Sequence, residues 1–190
     1  RSTTLGHHLA RILPPVLLAQ DNRLPALFQK TLAVLLAKGE YLVKAPMEGL
    51  LAIVTSGDDA GRAYLELLQT AFDRPLSYNR CQYLGNLLPY AAKKMPADRR
   101  GIQIRQLTRL ARVDLNLAEP YLEGLSQGLE RLGADARRRF VDQGLALARQ
   151  DPQAARRFLA VGSGRGREAC RVMQTTVLLA DQQGRLNRYL

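Results

Sequence analysis

Apolar residues recur at the helical period almost throughout the 190-residue chain. In "AYLELLQTAF", Tyr64, Leu67, Leu68 and Ala71 stand at i, i+3, i+4 and i+7. That spacing predicts one apolar stripe on a helix. In "IQIRQLTRLARV", Ile104, Leu107, Leu110 and Ala111 point inward, while Arg105, Arg109 and Arg112 share another face. "ADARRRFVDQGLALARQ" reads as one helix whose apolar side is Phe140, Leu145, Leu147 and Ala148, with Arg138 and Asp142 paired at i, i+4 on the outside. "DPQAARRFLAV" is the next, shorter helix, and Phe140 and Phe158 are expected to fill one core. Strand-like alternation is scarce. The ambiguous run "LLAIVTSG" reads as a buried helix end because Gly57 follows it.

Helix starts are signalled by side chains that can accept the unpaired N–H groups of a first turn. Asp58 or Asp59, Ser77, Asp98 and Asp151 stand at such positions, and Pro152 follows Asp151 as a first helical residue. Pro25, Pro46 and Pro120 suit other helix starts, and Gly39, Gly57 and Gly133 suit helix exits. The sum is about ten helices of roughly 10–17 residues, within the ordinary range for globular helices. No Gly/Ser linker divides the chain, so residues 1–190 are expected to form one α-helical domain.

A faint repeat is present. Tyr41-Leu42, Tyr83-Leu84, Tyr121-Leu122 and Phe158-Leu159 are separated by 42, 38 and 37 residues. Two helices and two turns need about that length, as in HEAT-type arrays. The fold class expected is therefore all-α, built of antiparallel helical hairpins, as either a HEAT-like curved array or an irregular helical bundle.

Composition adds a charge bias. Of 28 basic residues, 23 are Arg, the formal net charge is +11, and the pI is about 10.3. Residues 1–98 carry 11 basic and 8 acidic side chains; residues 99–190 carry 17 and 9, and all 17 are Arg. Such a balance favours an acidic partner: nucleic acid, an anionic membrane or an acidic protein surface. The plain alternative is a solvated face. The candidate surface comprises Arg99, Arg100, Arg105, Arg109 and Arg112 on one helix, then Arg137, Arg138, Arg139, Arg156 and Arg157 in the following hairpin. Arginine bonds carboxylates and phosphates alike in a bidentate manner.

Reactive chemistry finds little support. "GSGRG" (Gly162 to Gly166) lacks the Lys and Ser/Thr of a Walker loop and follows a helix, so a helix–helix turn is expected there. His7 and His8 are adjacent and cannot readily share a metal. With no other His, Ser-His-Asp and Cys-His arrangements are set aside. "GDD" reads as a helix start rather than a cation site. Cys81 and Cys170 read as small apolar residues of a reducing cytosol, not as a disulfide. No apolar run reaches membrane-spanning length. Carboxylate-only catalysis is the remaining enzymatic option, as in helical-repeat DNA glycosylases. Those enzymes line a basic groove with aromatics; this chain has no Trp, and its aromatics fall mostly in apparent core positions. No catalytic residue, cofactor or metal is expected.

The last third adds a resemblance. Asp151 to Leu159 fits D-x-x-A-A-x-x-F/Y-L, and Val177 to Tyr189 fits V-x-L-x-x-x-x-x-x-L-x-x-Y. This pattern resembles the helical region that precedes the von Willebrand A domain in proteins associated with MoxR-type AAA+ ATPases. Nitric oxide reductase activation proteins and the adaptor subunit of bacterial two-component Rubisco activases belong to that group. The resemblance covers residues 114–190, and the first half by helix style only. It implies a non-catalytic, cytoplasmic adaptor domain that docks a AAA+ ring while a C-terminal domain grips the client. The D-x-S-x-S metal motif of the A domain does not occur in the chain, and no family site residue falls on a matched position. With Arg1 in place of an initiator Met, the chain reads as a piece of a longer protein. The alternative expectation is a HEAT-like nucleic-acid binder or DNA-repair glycosylase.

Overall fold

The computed structural model describes residues 23–54, 58–127 and 132–161, with single positions at 7, 9, 11, 13 and 129. Among these residues the fold is all-helical, with no strand. The helices are α1 (Leu24–Lys38), α2 (Lys44–Val54), α3 (Asp58–Phe72), α4 (Tyr78–Lys94), α5 (Ala97–Val113), α6 (Leu115–Gln127), α7 (Ala134–Ala148) and α8 (Pro152–Val161). A 3-10 turn, Glu40–Leu42, joins α1 to α2. The chain divides into two compact units, Arg1–Arg112 and Val113–Leu190. Residues 162–166 and 177–189, which carry the glycine loop and the closing motif, lie outside the described residues, as do Gly57, His8 and Cys170.

In the first unit α1 packs on α3, and α2 packs on both α3 and α4. The apolar stripes explain this arrangement. Tyr64, Leu67, Leu68 and Ala71 are all buried, against Phe28, Leu35, Met47, Leu50 and Ile53. Ile104, Leu107, Leu110 and Ala111 of α5 are buried as the spacing predicts. The α2–α4 crossing is close enough that a β-carbon on Gly49 would stand 2.5 Å from Pro89 Cβ and 2.7 Å from the Tyr64 hydroxyl. Glycine is required there for proximity. At Gly39 it is required for backbone shape, since φ is 131° where α1 ends. Thr31 is buried in α1, and its hydroxyl donates to Leu27 O at 2.8 Å, so the polar group is not stranded.

Cations close several helix ends. Lys38 Nζ donates to Arg74 O at 2.9 Å, and Arg74 Nη2 donates to Arg112 O at 2.8 Å. The ends of α1, α3 and α5 are thereby tied together. Cations suit this position because the last carbonyls of a helix lack intrahelical partners and carry partial negative charge.

In the second unit α8 packs on both α6 and α7. The Phe140 and Phe158 rings lie 4.8 Å apart between centroids, as the sequence predicts. Leu117, Tyr121, Leu122, Val141, Ala155 and Leu159 are among the other buried residues of this unit.

Start and stop signals are met unevenly. Ser77 caps α4, its hydroxyl accepting from Arg80 N at 3.4 Å. Asp151 Oδ1 accepts from Gln153 N and Ala154 N at 2.8 and 3.0 Å, with Pro152 first in α8. Pro25 and Pro46 lie in the first turns of α1 and α2. Asp98 is not the cap of α5, which starts one residue earlier; it sits inside the first turn, where its charge suits the helix dipole. Asp58 and Asp59 likewise belong to α3 itself. Pro120 is interior to α6, because Asp114 opens that helix by accepting from Asn116 N at 2.9 Å. Gly133 precedes α7 rather than ending a helix.

The aromatic-Leu pairs do not occupy equivalent sites. Leu42, Leu84, Leu122 and Leu159 are all buried, yet Tyr41 and Tyr83 are exposed, Tyr121 is buried and Phe158 is half-buried. Each unit is an irregular helical bundle in which the leucine, not the aromatic, is the common core element.

Candidate functional site

The arginine face of α5 is a narrow ridge. Gln103, Ile104, Gln106, Leu107, Thr108, Leu110 and Ala111 are buried. Arg105, Arg109 and Arg112 are exposed, flanked by Ile102 and Val113. Alongside runs α3. A β-carbon on Gly101 would lie 3.6 Å from Ala60 Cα, so the two backbones approach closely. Arg105 Nη1 donates to Asp59 Oδ1 at 2.6 Å, and Arg112 Nη2 lies 4.0 Å from Glu66 Oε2. Both pairs span 46 residues, so the helices run in the same direction and their charges pair rung by rung. The ridge is thus partly neutralised from within. At its far end a shallow cleft of about 310 Å³ is lined by Glu66, Gln69, Thr70, Asp73, Arg74 and Arg112. Two acids and two arginines there give no single-sign field.

The remaining predicted arginines of this unit differ from each other. Arg99 is exposed and pairs with neighbouring Asp98 at 3.2 Å. Arg100 turns inward. It is half-buried and donates to Met95 O at 2.9 Å and Ala52 O at 3.5 Å, closing the ends of α4 and α2. Burial lowers its pKa below the usual arginine value.

Arg137 is a correction. It is 3% exposed and cannot belong to an exposed basic face. The reason is register: Arg137, Phe140, Val141, Gly144 and Ala148 form the inward stripe of α7. Arg137 stands near the buried Tyr121 phenol, whose pKa is raised by burial and partly offset by the Arg137 charge. Arg138 and Arg139 face outward from α7, and Arg156 and Arg157 face outward from α8. The outward arginines thus belong to both units, Arg99, Arg105, Arg109 and Arg112 to the first and Arg138, Arg139, Arg156 and Arg157 to the second.

Four tyrosines were not anticipated at the surface. Tyr41, Tyr78, Tyr83 and Tyr90 are 53%, 58%, 44% and 53% exposed, while Phe28, Tyr64, Phe72, Tyr121 and Phe140 are buried as expected. The signal was present. On α4, Cys81, Leu84, Leu88, Ala91 and Ala92 are buried, and the Tyr83–Tyr90 spacing of seven places both rings opposite that stripe.

Among the described residues, no cluster of three His, Cys, Asp or Glu side chains could hold a metal ion. Asp59 of the "GDD" run is engaged with Arg105. Cys81 is buried and free. No described helix is long and apolar enough to cross a membrane. The motif at Asp151–Leu159 has a structural role: Asp151 caps the helix, Ala155 and Leu159 are buried, and Phe158 packs with a tilted ring against Phe140. No protein-family model matches the chain, and no curated protein or solved structure matches it either.

Proposed function

We propose that the chain is a non-catalytic docking domain of an ATPase-linked adaptor, whose partner is a AAA+ ring of the MoxR type. The client would be held by a separate domain, as in the nitric oxide reductase and Rubisco activation systems that the last third resembles. The observation that carries this reading is the outward placement of Arg138, Arg139, Arg156 and Arg157 on two helices packed on each other. They lie within the segment of resemblance, and their fork-shaped heads suit carboxylates on an acidic protein surface. Arg105 and Arg112 are weaker candidates because α3 already supplies them with acids.

The test is co-elution of the full chain with a MoxR-type ATPase assembled with nucleotide. Arg156→Glu with Arg157→Glu should abolish the complex while leaving the circular dichroism and melting temperature in place. Arg105→Glu should leave it largely intact. Undiminished co-elution of the double variant would remove the α7–α8 surface as the docking site.

A further inference from the structure

We propose that the exposed face of α4 is a binding platform for single-stranded nucleic acid, independent of the adaptor reading above. Asn79, Tyr83, Asn86, Tyr90, Lys93 and Lys94 are all exposed on the arc opposite the buried stripe. This surface differs in chemistry from the rest of the unit. The helix carries Arg80, Lys93 and Lys94 but no Asp or Glu, whereas the α5 ridge is interlaced with acids.

Each component matches one part of a single strand. Exposed tyrosine rings offer π-faces on which bases stack without regard to sequence. Tyr83 and Tyr90 lie two helical turns apart, about 10 Å along one face. At the start of α4, Tyr78 meets Tyr41 with tilted rings 5.4 Å apart, on a different side of the helix from Tyr83 and Tyr90. The amides of Asn79 and Asn86 can donate to and accept from base edges. At the far end Lys94 Nζ lies over one face of the Tyr90 ring, 4.3 Å from its centroid, so a base would stack on the opposite face with the cation close behind. Lys93 adds a second cation for phosphate. The net charge of +11 supplies long-range attraction for a polyanion. A duplex buries its base faces, so rings that offer stacking select unpaired strands.

The chain has no Trp, so its own tyrosine emission reports stacking directly. Short oligo(dT) and oligo(rU) titrated into the full chain at about 50 mM salt, where phosphate contacts are strong, should quench that emission and bind. Tyr83→Ser with Tyr90→Ser should weaken binding by about tenfold or more; Tyr90→Ser alone provides a milder version should the double variant misfold. Lys93→Gln with Lys94→Gln should flatten the salt dependence by about 1.4 in log–log slope, the share of two phosphate contacts on a single strand. Arg156→Glu with Arg157→Glu should retain the quenching, which separates this site from the ATPase surface. Absence of binding, equal binding by the tyrosine variants, or equal competition by polyglutamate would overturn the proposal; the last would assign the face to an acidic protein instead.

Discussion

Replacing Gly49 and Gly85 by alanine, one at a time, should move stability in opposite directions. Both are buried, and both sit within helices that pack on each other, α2 and α4. Alanine gains about 1 kcal/mol over glycine in a helix interior, through lower chain entropy in the unfolded state. At Gly85 the new methyl would meet one atom, Leu42 Cδ2 at 3.8 Å, an ordinary van der Waals contact. Gly85→Ala should therefore stabilise by about 0.5–1 kcal/mol. At Gly49 the methyl would stand 2.5 Å from Pro89 Cβ, 2.7 Å from the Tyr64 hydroxyl and 3.0 Å from Pro89 Cα. Carbon atoms rest at about 3.5–4 Å, so the overlap approaches 1 Å. Two of the three opposing atoms belong to a proline ring or backbone and cannot swing aside. Overpacking of this kind costs about 1–3 kcal/mol, which exceeds the propensity gain at most of that range. The net expectation is a loss of up to about 2 kcal/mol, or a melting temperature lower by up to roughly 8 °C for a chain of this size. Thermal and urea denaturation followed by far-UV circular dichroism would measure both variants. If Gly49→Ala melts higher than the parent, or the two shifts share a sign, the close α2–α4 crossing is wrong.

Three further outcomes follow from burial and capping. Arg137→Ala should destabilise by about 1–3 kcal/mol, because its buried side chain is part of the inward stripe of α7, whereas the exposed neighbour Arg138→Ala should stay within about 0.5 kcal/mol; denaturant midpoints compare them. Burial raises the pKa of both the Tyr64 and Tyr121 phenols, so the unfolded chain releases these protons more readily than the folded one. Stability should hold below about pH 10 and then fall by about 1.4 kcal/mol per pH unit for each phenol. Melting curves above that pH would test this, with Tyr121→Phe relieving the slope in its unit. Asp151→Ala should cost about 1 kcal/mol through loss of the α8 cap, read as a lower urea midpoint.

The helical period carried much of the fold. Tyr64, Leu67, Leu68 and Ala71, and likewise Ile104, Leu107, Leu110 and Ala111, were legible as inward stripes and are buried. Ser77 and Asp151 were legible as caps because nothing else in their turns competes for the role. Pro120 misled because proline at a start and proline inside a helix look alike in sequence; Asp114, six residues before Pro120, held the better signal. The surface was harder to read. In "RRR", charge suggests three exposed residues, yet Arg137 lies three, four and seven positions before Phe140, Val141 and Gly144 and shares their face. In Tyr41-Leu42 and Tyr83-Leu84 only the leucine is buried. Neighbours on a helix point about 100° apart, so burying Leu84 turns Tyr83 toward solvent. Sequence also could not show that Asp59 and Glu66 would lie beside Arg105 and Arg112, because those pairings depend on tertiary packing.

The clasp formed by Lys38 and Arg74 bears on how the first unit comes apart. Terminal turns ordinarily fray first, since their last carbonyls have only water to hold them. Here three such turns share one cationic rivet, Lys38 to Arg74 to Arg112. Unravelling any one of these strands of the knot must loosen the other two, so amide exchange near residues 35–38, 70–74 and 109–112 should proceed as one cooperative event rather than three independent ones.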